Sequence, residues 1–212
     1  NITETSQPYA YNTNHKIKAT VRAILSFAKK RRLVTDHYAK AEYIDFPKRT
    51  QKEIKCMDSD TLKDVYKAVQ NYDDIRHVTA LLTLIFTGIR RGELCGLRWE
   101  SIDLDNRLMS IDLNVTSVIR VGIVEKKPKT HRSKRKVELP HTLCKHLKKY
   151  KKWYFETKEQ MGDRWDKKDW LFINTDTGKR IVPNTINSWI NKVTMQAGLG
   201  RWTQYIATAT PT

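Results

Sequence analysis

From Thr13 to Lys30 ("TNHKIKATVRAILSFAKK") the apolar residues Ile17, Val21, Ile24, Leu25 and Ala28 recur at i, i+4, i+7, i+8 and i+11, with Lys and Arg opposite. That spacing places them on one face of an amphipathic helix. The stretch Tyr43 to Asp60 ("YIDFPKRTQKEIKCMDSD") is polar, carries Pro47 and shows neither period, so it reads as a linker between two domains. A new helix opens at "DSDTLKDVYKAV". There Ser59 or Asp60 is placed to cap the free N–H groups, and Leu62, Val65, Tyr66 and Val69 form the buried stripe. Ile75 to Phe86 is an apolar run of helical length that stops at Thr87-Gly88, and a short helix is expected around Gly92 to Leu97.

Beyond that point the period changes. Arg107 to Leu113, Thr116 to Lys127 and Lys134 to Pro140 read as strands, the last two joined by a turn at "PKTHRS", Pro128 to Ser133. Leu143 to Lys158 returns to helix, Trp170 to Asn174 is a short strand, and Pro183 opens a helix with Ile186, Trp189, Ile190 and Val193 inward. The expected fold class is α+β, mainly helical, with a small antiparallel sheet inserted.

Charge sharpens this picture. Lys+Arg 40 against Asp+Glu 23 leaves +17 on 212 residues, the footprint of a protein that works against phosphates, with an anionic membrane surface as the competing partner. Cys56, Cys95 and Cys144 are an odd number, widely spaced and without a C-x-x-C, which argues against a disulfide framework or a zinc site and fits a reducing cytosol. His141, Cys144 and His146 in "HTLCKH" lack the partner cluster that a metal would need. The longest apolar run, Val78 to Phe86, is far too short for a bilayer, and no basic-then-apolar leader is seen. The expectation is a cytoplasmic protein that binds nucleic acid, with no membrane partner.

The arginines after the apolar helix carry the chemistry. Thr87-Gly88 ends one helix and the chain re-enters another near Gly92, so Arg90 is held on a tight junction. A guanidinium fixed there stays charged and offers parallel donors to two phosphate oxygens, which lysine cannot do. Glu93 is placed to pair with Arg90 or Arg91 and hold the orientation. The plain alternative is a helix cap joined to a surface ion pair.

"TGIRRGELCGLRWESIDLD" resembles the first arginine box of the tyrosine recombinases, the phage and transposon integrases. Thr87, Gly88, Arg90, Glu93, Leu94, Leu97, Trp99, Ile102 and Asp103 fall in register with it, and Ser101 stands where the family often has an acid. The resemblance implies that Arg90 is the first catalytic arginine. It also implies that the following β-hairpin carries a catalytic lysine, for which "KKPKTHRSKRKVELP" supplies Lys129. A long side chain at a hairpin tip can give a proton to a departing 5′ oxygen; the alternative is a basic loop. Arg91, Lys126, Lys127, Arg132, Lys134 and Arg135 are candidate DNA-backbone contacts.

"HKIKATVRAILSFAKKRRLVTDHYAKAEYIDFPKR" is similar to the last part of the family's core-binding domain. The implied organisation is residues 1–46 from that DNA clamp, 47–56 as linker and 57–212 as the catalytic domain. The end departs from the family. No H-x-x-R box occurs, and "RWTQYIATATPT" joins a lead-in like that of the missing box to a stretch like that around the nucleophile. The expectation is that intervening residues are missing from this sequence and that Tyr205 is the nucleophile, an ordinary terminal aromatic being the alternative. A chain lacking the second arginine would bind DNA with little recombination.

The family implies cofactor-free phosphoryl transfer through a 3′-phosphotyrosyl link, on double-stranded DNA at attachment or transposon-end sites. Protomers would act as a homotetramer or dimer, with an accessory directionality factor as a further candidate partner. A type IB topoisomerase and a non-catalytic DNA-binding module are the rival readings.

Overall fold

The computed structural model describes residues 9, 11–36, 58–118, 120–126 and 134–200. The chain divides into two compact units, Asn1–Lys55 and Cys56–Thr212. In the first, α1 spans Tyr11–Lys30, two residues longer at its start than the apolar spacing predicts. Its Ile17, Val21 and Ile24 are exposed, and none of its residues is buried. Most of the linker stretch lies outside the described residues.

In the second unit α2 (Ser59–Gln70) is capped by Asp58, not by Ser59 or Asp60. The Asp58 carboxylate accepts from the Thr61 N–H at 2.7 Å, and its extended backbone (φ −69°, ψ 162°) is what an N-cap requires. All of "DSD" can cap, and the residue just outside the first turn is the one that does. α3 (Ile75–Thr87) runs through the core with Val78, Ala80, Leu81, Leu82 and Leu84 buried. Its threonines are tolerated there because each hydroxyl donates one turn back: Thr79 to Ile75, Thr83 to Thr79 and Thr87 to Thr83. Gly88 ends the helix in the left-handed region at φ 61°, which favours glycine.

After α4 (Arg91–Leu94) the strands depart from the expected order. β1 (Ile102–Asp103), β2 (Leu108–Ile111) and β5 (Arg135–Glu138) form a sheet in the order β1-β2-β5, with Met109 opposite both Ile102 and Val137. The stretch expected as one strand over Thr116 to Lys127 is a hairpin, β3 (Asn114–Val118) against β4 (Gly122–Lys126). It turns at Arg120 and Gly122, both at positive φ. Alternating apolar residues run straight through this turn, so period alone hides it; Gly122 is the residue that marks it. Among the described residues β4 and β5 belong to different sheets, and the "PKTHRS" turn expected between them lies outside the described residues. The strand expected over Trp170 to Asn174 is reduced to isolated bridges, Arg98 to Trp170 and Ile173 to Arg180.

α5 (His141–Met161) and α6 (Pro183–Gln196) close the core, α6 through Ile186, Trp189, Ile190 and Val193 as the spacing predicts. The Cys144 thiol is buried and faces the Leu139 carbonyl. Among the described residues no group of His, Cys, Asp and Glu could hold a metal, and no helix is long and apolar enough to cross a membrane.

His77, buried on α3, stacks on Tyr72 (5.3 Å between centroids) and tilts against Trp189 (4.5 Å). Burial pushes its pKa down to about 4, overriding the upward pull of Asp74. The unfolded chain then takes up the proton first. Stability is full above the ordinary value of 6.5 and falls with pH toward about 4, with a limiting slope of ~1.4 kcal/mol per pH unit. His77→Phe keeps an aromatic in the stack and should flatten this dependence in denaturant unfolding curves taken across that window. An unchanged slope would mean that the ring is already charged in the fold.

Candidate functional site

The turn at Gly88 aims the chain so that Ile89 enters the core, fully buried, and Arg90 leaves it. Arg90 is extended (φ −71°, ψ 148°) and immediately precedes α4, whose Leu94 is again fully buried. Two apolar anchors, each contributing roughly 1.5–3 kcal/mol by burial, thus bracket the arginine on a short, fixed segment. Gly92 is pressed against β3. A Cβ there would lie 2.1 Å from Asn114 Oδ1 and 2.4 Å from the Val115 carbonyl. Arg91 donates to Asn187 Oδ1 on α6 and so fastens α4 to a third element.

Glu93 is the centre of the site. Its Oε2 accepts from the Arg90 backbone N–H at 2.9 Å and its Oε1 from Arg90 Nη1 at 3.0 Å. Arg135, arriving from β5, donates Nη1 to Oε1 at 3.2 Å and Nη2 to Oε2 at 2.8 Å. Burial alone would raise the Glu93 carboxyl, but hydrogen bonds from Arg135 and from the Arg90 backbone outweigh it and hold the pKa below its ordinary value. The carboxylate stays ionised at neutral pH. Two guanidinium groups against one carboxylate leave net positive charge, and the Arg90 side chain, 79% exposed, presents it to solvent. Such an arrangement can hold a phosphate by charge-assisted hydrogen bonds.

Of the residues singled out in the sequence, the fold joins Arg90, Glu93 and Arg135. Arg91 is near in sequence but turns to α6 rather than to Glu93. Lys126 and Lys134 are exposed at the ends of β4 and β5. Glu125, one residue before Lys126, lies 3.0 Å from Arg180 and 3.5 Å from Lys168, which fastens the hairpin end to the body. Lys127, Lys129, Arg132 and Tyr205 lie outside the described residues. The partnership of Glu93 with Arg135, 42 residues apart, is the feature that local spacing misses. One signal was available: in "KRKVE" Arg135 and Val137 share a strand face, so Arg135 points the same way as an inward apolar residue.

Comparisons with known proteins bear on the family and the fold. Residues 55–206 match the Phage integrase family. A tyrosine recombinase XerC-like protein of Caldanaerobacter subterraneus subsp. tengcongensis is 25% identical over 162 residues, 71% of this chain and 40% of that protein. The ICEBs1 integrase of Bacillus subtilis is 28% identical over 132 residues, 62% of this chain and 35% of its own length. This chain spans well under half the length of these curated relatives. Among solved structures, the Tn1549 transposon integrase in complex with a circular intermediate DNA superposes with a TM-score of 0.74 at 16% identity, covering 94% of this chain and 64% of that one. XerH site-specific recombinase bound to palindromic difH substrate gives 0.61 at 18%, covering 93% and 52%. At these identities the structural likeness concerns the fold, a mainly helical α+β unit with small antiparallel sheets.

Proposed function

Because the chain belongs to the phage integrase family, the tyrosine recombinases that break and rejoin DNA strands, we propose that it acts in site-specific recombination of a mobile element. In this reading residues 1–46 are the end of a core-binding domain, 47–56 a linker and 57–212 the catalytic domain. The observation that carries the proposal is the exposed Arg90 guanidinium, held on a buried junction by a nearly buried carboxylate.

Arg90 grips the non-bridging oxygens of the scissile phosphate. The Tyr205 hydroxyl gives up its proton to solvent as its oxygen attacks phosphorus, and the bond from phosphorus to the 5′ oxygen breaks. A proton from Lys129 goes to that oxygen, leaving a 3′-phosphotyrosyl link and a free 5′ hydroxyl. Attack by a partner strand's 5′ hydroxyl reverses these steps, and the phosphodiester energy is kept in the link. Charge on the pentacoordinate phosphorane is met by preorganised guanidinium groups. The family match extends to residue 206 and so takes in Tyr205, which supports its role. Arg91, Lys126, Lys127, Arg132 and Lys134 supply backbone contacts, while Arg135 is held on Glu93. Double-stranded DNA at element ends is the substrate, bound by a dimer or tetramer of this chain, since two duplexes must exchange strands. An integrase and a transposon integrase among the similar proteins support the mobile-element role.

The test is a DNA substrate, selected for binding from the host element and nicked beside the cleavage point, so that the released fragment diffuses away and the covalent intermediate is trapped. A DNA-linked band on a denaturing gel, with the link mapped to Tyr205, is the expected result. Specific binding without any link would replace this reading with a DNA-holding module. Relaxation of supercoils at arbitrary sites would point to a topoisomerase.

A further inference from the structure

The carboxylate of Glu93 has all of its acceptor positions in use. An ionised carboxylate offers about four, and here Oε1 takes Arg90 Nη1 and Arg135 Nη1 while Oε2 takes the Arg90 backbone N–H and Arg135 Nη2. The two arginines are treated unequally. Arg135 engages both oxygens, whereas the Arg90 side chain makes a single contact and remains 79% exposed beside a carboxylate only 7% exposed.

That inequality has a physical consequence. A guanidinium and a carboxylate in contact prefer the two-point, fork-to-fork pairing, and the preference grows where water is excluded. Were Arg135 absent, two acceptor positions would open on a carboxylate that water barely reaches. The donor already touching it is Arg90. Its guanidinium would rotate to close a second bond, and the fork would then face Glu93 instead of solvent.

We infer that Arg135 is a positioning residue: by occupying both oxygens of Glu93 it keeps that carboxylate from capturing the Arg90 guanidinium, and so leaves the Arg90 fork turned outward for a DNA phosphate. The outward fork is useful only if Arg90 binds phosphate, so the inference rests on the proposed recombinase reading. The capture itself can be measured without DNA. Arg135 differs in this from the neighbouring basic residues, because its role is exerted through Glu93 and does not require it to touch DNA.

The experiment uses the full chain in two assays. In the first, without DNA, an arginine-selective dicarbonyl reagent is applied and Arg90 modification is followed by peptide mass mapping. Arg135→Ala should slow modification of Arg90 several-fold, and Arg135→Ala combined with Glu93→Gln should restore it, since a neutral amide has little hold on a guanidinium. Arg135→Lys keeps the charge but not the fork. It should also slow Arg90, and it serves in place of the alanine variant if the latter does not fold. In the second assay, the nicked substrate, Arg135→Ala should lower the rate of adduct formation roughly ten- to a hundredfold, and the double variant should recover to the level of Glu93→Gln alone.

Arg90 modification that is unchanged or faster in Arg135→Ala overturns the inference. So does slowed modification that Glu93→Gln fails to restore, because the effect would then not pass through the carboxylate. If the modification pattern is as expected and the unaltered protein forms no adduct, the positioning role stands and the recombinase reading falls.

Discussion

Replacing Arg90 with lysine is expected to reduce covalent-adduct formation on the nicked substrate by ~10²–10³-fold, the usual cost of removing one preorganised donor from a developing anion. The substitution keeps the positive charge, so attraction to the DNA backbone, spread over many basic residues, should change by less than about tenfold. What it removes is geometry. The guanidinium holds Glu93 with Nη1 at 3.0 Å and still has planar donors left for two phosphate oxygens. An ammonium is a point charge and cannot serve both partners with the same alignment. The rate is read at saturating protein, so that binding and chemistry separate. A rate within about threefold of the parent would show that Arg90 acts as a surface charge and would remove the main support for the proposed function.

Gly92→Ala is expected to be nearly as damaging, by a different route. The added Cβ would lie 2.1 Å from Asn114 Oδ1 and 2.4 Å from the Val115 carbonyl oxygen. A side-chain amide can swing away; the Val115 backbone, in a strand paired with Glu125 of β4, cannot do so without moving the hairpin. The least costly response is for α4 to lift off β3, at a cost of roughly 1–3 kcal/mol. α4 carries Glu93, so lifting it displaces the carboxylate from Arg135 and turns Arg90. A displacement of about 1 Å can cost a hundredfold in rate. Thermal unfolding with adduct kinetics on the same sample checks both effects. A variant with parental stability and rate would show that β3 and α4 are not packed as described.

The arginine box was legible because its determinants are local. Gly88 ends α3 because the left-handed turn there favours a residue without a side chain, and Ile89 and Leu94 bracket Arg90 by simple apolar spacing. The helices were legible for the same reason: in α6 the stripe Ile186, Trp189, Ile190 and Val193 is buried as its period requires. The β3–β4 hairpin was not. An alternating pattern marks which face of a strand is buried and is silent about where the strand folds back, so Thr116 to Lys127 read as one strand although Gly122 breaks it. The cap of α2 was misread by one or two residues because adjacent Asp58, Ser59 and Asp60 are chemically equivalent for that task, and the entry angle of the chain chooses among them.

By itself the sequence determined the family, the helical frame, the basic character and the placement of Arg90 and Glu93 one turn apart, because periodicity, capping and turn chemistry act over a few neighbouring residues. Only the tertiary structure decided which arginine Glu93 would hold. Arg91, two residues away, is drawn off to Asn187, while Arg135 arrives from β5 because pairing with β2 sets its register. A carboxylate binds the guanidinium that the fold brings within 3 Å or so of its oxygens, in the geometry both groups prefer. Distance along the chain has no part in that choice.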